Sequence, residues 1–403
     1  MSIRKADRKL MREINNMNVL RVIRAEGPIS RIEIAERVGL GVSTISNIAT
    51  ELLESKVILE VGEGDSSGGR RPNLLDLNGS ARYVFGVKVG PGTVWVALLN
   101  LRASLVAVEE IEFSLDSAAE PVLQLIADTV DKLFVKHKIS RAKVLGLGVS
   151  TSGAISLDSG VCLFSPILGW RDVPIRAILE KKTRLQVTVE NDVNAFAYGT
   201  LQQAGNQGLK NLLCVTTGAG VGAGIILDGK LFRGSSGGAG EFGHMSIDIH
   251  GPVCNCGRRG CLEVMASDQY LLTQAREAIK AGESQILATF NQDGALTPTA
   301  ILSAARVGDV TALRLYDELA SHLGQGIANL INLLNPEKIV IGGEGAVASS
   351  FFMDRVYASA RQAAFPHLAE NVEITIDDGR EDAWLQGAAS FVIERFFEIP
   401  LSE

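Results

Sequence analysis

The stretch GEFGHMSIDIHGPVCNCGRRGCLE, residues 240–263, carries the most specific chemistry in the chain. His244, Cys254, Cys256 and Cys261 stand in the pattern His-x9-Cys-x-Cys-x4-Cys, one imidazole and three thiols. Zinc favours four such ligands in closed tetrahedral geometry, and Gly257 and Gly260 let so short a loop wrap an ion. Buried free cysteines are common one at a time, but three within eight residues with a histidine upstream form a ligand set. With all four positions filled by protein, the zinc is expected to be structural and to hold no reactive water. Five cysteines in 403 residues are too few for a disulfide scaffold, so the cluster points to a reducing, cytoplasmic setting.

Outward from this stretch the texture is that of an α/β protein. From Tyr83 on, strands, helices and glycine-rich turns alternate. The pattern predicts a hairpin of Tyr83–Val89 and Thr93–Leu101, a strand over 104–113, a helix over 119–138 and a strand at Val144–Ser150. It recurs as paired strands at Asn211–Thr216 and Gly222–Leu227, with a later strand at Lys338–Ile341. Such duplication predicts two related lobes with a cleft between them. The segment from Gly218 to Ala223 satisfies the loose dinucleotide pattern G-x-G-x-x-A. A strand-like Ile225–Leu227 and an Asp228-Gly229 turn follow where a helix is required, so that reading is rejected.

The first 80 residues read differently. A helix is predicted from Asp7 to Ala25, with Leu10, Ile14, Met17, Leu20 and Ile23 on one face, stopped by Gly27-Pro28. Ser30-Arg31-Ile32-Glu33 forms a capping box for a second helix that ends before Gly39. A third opens at Val42 or Ser43 and runs to about Ser55. Two short helices joined by a glycine-containing turn make a helix-turn-helix. Ser43, Thr44, Ser46, Asn47 and Thr50 are the short polar residues expected to reach base edges and phosphates. Val57–Val61 and Leu74–Leu77 read as two strands around the tip Gly68-Gly69-Arg70-Arg71-Pro72, a wing whose Arg70 and Arg71 suit a minor groove or phosphate. The alternative is a small helical bundle for dimerisation, which lacks a reason for a polar recognition face and a basic hairpin tip together.

Composition bounds the rest. Hydrophobic residues make up 46% and charged residues 21%, ordinary globular usage that excludes wholesale disorder. No apolar run reaches the roughly 18 residues of a membrane span, so membrane insertion is not expected. Residues 1–80 hold 12 Lys and Arg against 11 Asp and Glu, whereas the remainder holds 27 against 35. A basic head on an acidic body suits nucleic-acid binding confined to the head. The expected division is a head over 1–80, a first lobe over 81–195 completed by a C-terminal helix over 383–403, and a second lobe over 196–382 with the zinc loop.

Four segments together resemble the ROK family of repressors and sugar kinases, and within it the NagC/Mlc/XylR-type repressors. They are Gly-Pro-Ile-Ser-Arg (27–31) with Gly-Gly-Arg-Arg-Pro (68–72), Glu-Asn-Asp-Val-Asn-Ala (190–195), Gly-Ala-Gly-Val-Gly-Ala-Gly (218–224) and the 240–263 stretch. The resemblance implies a two-lobed, actin-like (ribonuclease H-like) sugar kinase fold with an N-terminal winged helix-turn-helix. It supports the same four zinc ligands. It also implies that Asn191, Asp192, Glu241, His244 and Glu263 contact a sugar or sugar phosphate, with Gly153 lining the pocket. Read alone, Glu190-Asn191-Asp192 is a turn after a strand.

The family's kinases open the body with a phosphate loop Asp-x-Gly-Gly-Thr-Lys. Here the stretch is Lys88-Val89-Gly90-Pro91-Gly92-Thr93, with lysine for the carboxylate and a proline that removes a backbone donor. Asp192 matches the kinase base, but a base without a competent phosphate loop does not transfer phosphate efficiently. The chain is therefore expected not to be an enzyme. The expected function is a sugar-responsive repressor of carbohydrate uptake or catabolism genes, binding operator DNA as a homo-oligomer, dimer or tetramer. The resemblance also admits control by a sugar phosphotransferase system protein. The competing reading is a sugar or amino-sugar kinase that kept a DNA-binding head.

Overall fold

The computed structural model describes residues 8–64, 71–291, 296–377 and 381–398. At the N-terminus, helices α1 (Arg8–Glu26), α2 (Arg31–Val38) and α3 (Val42–Glu54) pack beside a small sheet. Its strands are β1 (Ile29–Ser30), β2 (Ile58–Glu63) and β3 (Asn73–Leu77), in the order β1-β3-β2. The capping box forms as expected: Ser30 Oγ accepts from the Glu33 amide at 3.3 Å, and the Glu33 carboxylate accepts from the Ser30 amide at 2.9 Å. Gly39, at φ +72°, ends α2 in the left-handed conformation that glycine adopts at least cost. The wing is an antiparallel pairing of β2 and β3. Arg70 lies outside the described residues.

The two halves of the body repeat one sheet. The first is built from β4 (Tyr83–Val89), β5 (Thr93–Asn100), β6 (Leu105–Glu112), β7 (Val144–Thr151) and β11 (Val187–Asn191). A three-stranded insert, β8 (Ala154–Ser156), β9 (Val161–Ser165) and β10 (Trp170–Val173), falls between β7 and β11. The second sheet is β12 (Leu212–Thr216), β13 (Gly222–Leu227), β14 (Lys230–Leu231), β15 (Lys338–Gly342) and β16 (Glu373–Ile376). Their orders are β11-β7-β4-β5-β6 and β14-β13-β12-β15-β16. In both, the first strand pairs antiparallel with the second and parallel with the fourth, and the fourth pairs parallel with the fifth. The duplication expected from the sequence is therefore one topology used twice. The insert was not foreseen, because its strands are three to five residues long and carry no sustained alternation.

Helices α4 (Ala119–His137) and α5 (Ile175–Thr183) belong to the first half, and α6 (Asp192–Gln202) follows β11. Helices α7 (Glu263–Ala266), α8 (Asp268–Ala281), α9 (Gln285–Phe290), α10 (Pro298–Arg306), α11 (Val310–Leu334), α12 (Met353–Ala363) and α13 (Pro366–Ala369) belong to the second half. They are followed by α14 (Asp382–Phe397). The helices α6 and α14 cross between halves. Helix α6 leaves the first sheet and packs on β12 and β13; α14 leaves the second sheet and packs on β4 and β7; and the two pack on each other.

Four glycines make that crossing a contact of backbone on backbone. A Cβ at Gly199 of α6 would lie 1.8 Å from the Ala383 carbonyl oxygen, and one at Gly387 of α14 would lie 1.8 Å from that of Ala195. Equivalent atoms at Gly86 and Gly148, in β4 and β7, would lie 2.3 Å and 1.9 Å from the Leu385 and Ala388 carbonyl oxygens. Phe196 stacks on Trp384 at 4.0 Å beside this contact. The head's core is continuous with the far side of α14: Leu20, Ile23, Ile45 and Leu75 share one buried cluster with Leu385, Ala389, Ile393 and Phe397. Gly199→Ala and Gly387→Ala are each expected to cost about 1–3 kcal/mol or more by overpacking, read as a clear fall in Tm. An unchanged Tm would show that the helices separate at no cost.

Candidate ligand cleft, metal cluster and DNA-binding face

The parallel strands β4, β7 and β11 end side by side, with Val89 opposite Thr151 and Thr151 opposite Asn191. Carboxyl ends of parallel strands are where open α/β sheets bind ligands. Asn191 caps α6: its Oδ1 accepts from the Val193 and Asn194 amides at 2.9 and 3.2 Å, and its Nδ2 donates to the Gly153 carbonyl at 3.1 Å. Gly153 holds φ +99°, and a Cβ there would meet the Phe164 carbonyl oxygen at 2.2 Å, so the β8–β10 insert closes directly over it. Asp192 opens α6, and its Oδ1 accepts from the Val193 amide at 2.9 Å. Burial pushes the Asp192 carboxyl up to about 6; Glu344 adds to that rise, while Lys88 and the backbone bond oppose it.

Glu263, at the start of α7, accepts from the Val221 amide at 3.3 Å. It stands 3.1 Å from where a Gly220 Cβ would be, with Ile167 of the insert at 3.6 Å from the same point. This glycine loop lies against the start of α6, since a Cβ at Gly222 would touch Val193 at 3.0 Å. The structure thus brings Asn191, Asp192 and Glu263 to one region. His244 is half-buried, and its Nε2 faces the exposed Glu241 carboxylate at 4.0 Å.

Sequence reasoning missed three groups here. Glu190 is buried, accepts from the Asn191 amide and Asn194 Nδ2 at 3.0 Å each, and pairs with Arg233 at 2.7 Å. Thr151 is fully buried, and its hydroxyl lacks a hydrogen-bond partner among the described residues. A buried polar atom of that kind is rare unless something else satisfies it. The signal for both was a polar residue at the end of an apolar strand.

The third is the pairing of Lys88. The sequence shows it as a lost carboxylate; the structure shows what replaces it. Lys88 is 3% exposed, donates to Glu381 at 2.6 Å and lies 3.6 Å from Glu344. Its ammonium sits over the rings of Trp384 and Trp95, at 4.2 and 5.2 Å from their centroids. The Glu344 carboxylate in turn stands 2.8 Å from where a Gly218 Cβ would be, against the 218–224 glycine loop. A buried cation is tolerated when paired and costly when stripped of a partner. A carboxylate beside that glycine loop repels an anion there. Lys88 in the first phosphate loop and Glu344 after the Gly342-Gly343 pair were the legible signs.

In the 240–263 loop, the ligand atoms of His244, Cys254, Cys256 and Cys261 all lie within 4.8 Å of one another. Cys256 Sγ is 3.6 Å from Cys261 Sγ, and Cys254 Sγ is 3.7 Å from His244 Nδ1. Ligands about 2.3 Å from a tetrahedral ion stand about 3.8 Å apart, which these distances approach. They are also too long for a disulfide. Gly260 shapes the loop, because a Cβ there would fall 1.5 Å from the Asp248 carbonyl oxygen. The Arg258 amide and guanidinium hold the exposed Cys256 thiol down at about 6, whereas burial pushes Cys261 up to about 12. The donor set fits a metal ion, and Nδ1 faces the cluster while Nε2 faces away.

In the head, Ile45, Ile48, Ala49 and Leu52 bury one side of α3, leaving Ser43, Thr44, Asn47 and Thr50 exposed and Ser46 half-exposed. Thr50 Oγ1 donates to the Ser46 carbonyl at 2.9 Å. Arg71 is exposed at the edge of the wing. Arg12 pairs with Glu51 and Arg31 with Glu60 at 2.9 Å, so neighbouring charges brace the helices and leave the polar face of α3 open.

No helix among the described residues is long and apolar enough to cross a membrane. Residues 7–58 match the winged helix-turn-helix DNA-binding family. The chain is 33% identical to the xylose repressor of Caldicellulosiruptor bescii, over 97% of this chain and 98% of that one. It is 36% identical to the glucokinase of Halalkalibacterium halodurans over 78% of this chain and 96% of that one. A solved ROK family transcriptional regulator, a homologue of the Escherichia coli Mlc protein, superposes with a TM-score of 0.82 at 29% identity. That match covers 97% of this chain and 98% of the other. Residues 84–395 match the ROK family, and the chain belongs to it.

Proposed function

We propose that this protein is a sugar-responsive, DNA-binding transcriptional repressor whose body binds a small sugar or sugar phosphate and transfers no phosphate. The observation that carries the reading is the Lys88–Glu381–Glu344 cluster, which fills the phosphate region of a kinase-like cleft while an exposed recognition helix sits on the same chain. Asn191, Asp192, Glu241, His244 and Glu263 are the sugar ligands in this reading, joined by Thr151 as a donor or acceptor. Carboxylates accept from adjacent hydroxyls, and Asn191 fixes the turn that presents Asp192. Ser43, Thr44, Ser46, Asn47, Arg70 and Arg71 contact the operator. A palindromic operator calls for two heads, hence a homo-oligomer. Sugar bound between the lobes favours one arrangement of the heads and so changes operator affinity. The division into a head over 1–80, a lobe over 81–195 with 383–403, and a lobe over 196–382 belongs to this proposal.

D-xylose is the first sugar to test, because the relative matched over the whole chain is a xylose repressor. Calorimetry should find binding that Asp192→Ala abolishes. If an ionised Asp192 is what accepts, affinity rises with pH through the carboxyl's value near 6, with Lys88 and Glu344 as the charges facing it. The sign follows from protonation removing the acceptor: binding at pH 5.5 is expected to be about fourfold weaker than at pH 7.5. Full affinity in Asp192→Ala, or a flat profile, would remove Asp192 from the site.

The His244, Cys254, Cys256 and Cys261 cluster is proposed to hold structural zinc, with the second nitrogen of His244 turned toward the sugar. Elemental analysis should give about one zinc per chain. Cys261→Ser or a strong chelator should remove it and lower Tm, because metal binding energy is folding energy here. Less than half a zinc in freshly purified protein would contradict the four-ligand assignment.

A further inference from the structure

We propose that α14 is the coupling element that ties the state of the cleft to the DNA-binding head, through Lys88–Glu381 at its N-terminal end and Arg24–Glu394 at its C-terminal end. The inference rests on the regulator reading above and adds to it the part that carries the signal.

At the cleft end, Lys88 of β4 donates to Glu381, the residue just before α14, and lies over Trp384 in its first turn. The same ammonium reaches Glu344, which follows β15 of the second sheet. One buried cation therefore touches the first lobe, the second lobe and the start of α14. A change in how the lobes meet, or in the charge of the neighbouring Asp192, alters the partners of that cation.

At the other end, Arg24 of α1 pairs with Glu394 at 2.6 Å and lies over the Phe397 ring at 4.5 Å. Arg21 of α1 donates to the Phe397 carbonyl at 2.9 Å. Apolar continuity reinforces these bonds, because Ile393 and Phe397 share a buried cluster with Leu20 and Ile23. Between the ends, α14 spans 16 residues, roughly 24 Å of helix. The glycine contacts at Gly86, Gly148, Gly199 and Gly387 leave it no slack against the sheet or α6. A close-packed helix moves as a unit and transmits displacement along its axis.

The head is also attached through Arg102, which bonds Asp76 at 2.5 Å and the Leu77 carbonyl at 2.8 Å. Arg102 sits in the β5–β6 turn, at the opposite end of the sheet from Lys88. Strand β4 itself runs from the head junction to the cleft and is the rival route. Glu381→Ala tests the two routes against each other, since it removes the ion pair between Lys88 and the start of α14 while Lys88 stays on β4 and keeps Glu344.

The test is operator affinity of the full chain, measured with and without D-xylose, D-glucose or N-acetyl-D-glucosamine, on an operator fragment selected from genomic DNA. The wild type should show a ratio between the two conditions, within the roughly 5- to 150-fold typical of coupled sites. Glu394→Ala should bind the sugar with wild-type affinity, bind operator, and show a ratio within about twofold of one. Glu381→Ala, or the milder Glu381→Gln if the first folds poorly, should lose the ratio likewise. The double variant should lose no more than either alone, because both cut one element. Glu109→Ala, which removes two ion pairs away from α14, should keep the wild-type ratio. A wild-type ratio retained in Glu394→Ala and in the folded Glu381 variant would overturn the role of α14 and leave the regulator reading standing. A wild type that binds operator and ignores all three sugars would overturn both.

Discussion

The structure depends on the crossing of α6 and α14, two helices that touch through backbone because glycine stands wherever a side chain would intervene. Each helix leaves one sheet and packs on the other, so the two lobes are bound by an exchange of helices as well as by loops. The approach places Phe196 flat on Trp384 and brings the N-terminus of α14 beside Lys88. It also fixes where α6 begins, and α6 begins at Asp192. Cleft, inter-lobe contact and head thus share one mechanical frame, because the far side of α14 is part of the head's core.

Within that frame the chemistry differs from a phosphoryl-transfer site by a few charges. A kinase cleft needs backbone donors and a metal-assisting carboxylate facing the phosphates. Here a lysine stands on the first loop, a glutamate that follows β15 lies against the 218–224 glycine loop, and the two are 3.6 Å apart. In the proposed reading, this ion cluster occupies the place where a kinase would neutralise a nucleotide's charge. The Asp192 carboxyl, which burial pushes up to about 6, stands at the start of α6 facing Lys88 and Glu344.

Much of this was legible in the residues. The head could be read almost bond by bond, because Ser30, Glu33 and Gly39 are local signals whose partners are three or four residues away. The metal loop was legible for the same reason: its ligands and glycines lie in one short stretch. The duplicated body showed in strand spacing, but the strand order did not, since pairing β4 with β7 and β12 with β15 is a long-range outcome. The ion cluster was visible only as two separate oddities, Lys88 and Glu344, which lie 3.6 Å apart across two lobes. The crossing helices could not be read at all. Gly86, Gly148, Gly199 and Gly387 look like ordinary glycines in strands and helices until the opposing carbonyls of Leu385, Ala388, Ala383 and Ala195 are placed.

The central claim is that the head reads DNA and the body reports sugar to it. Capture of genomic fragments by the purified full-length protein, sequenced with and without added sugars, tests both parts together. The account predicts a discrete palindrome beside sugar transport or catabolism genes, with occupancy that changes when one sugar is present. No enrichment under any condition, accompanied by sugar-dependent ATP consumption in the same preparation, would contradict it and return the protein to the kinases.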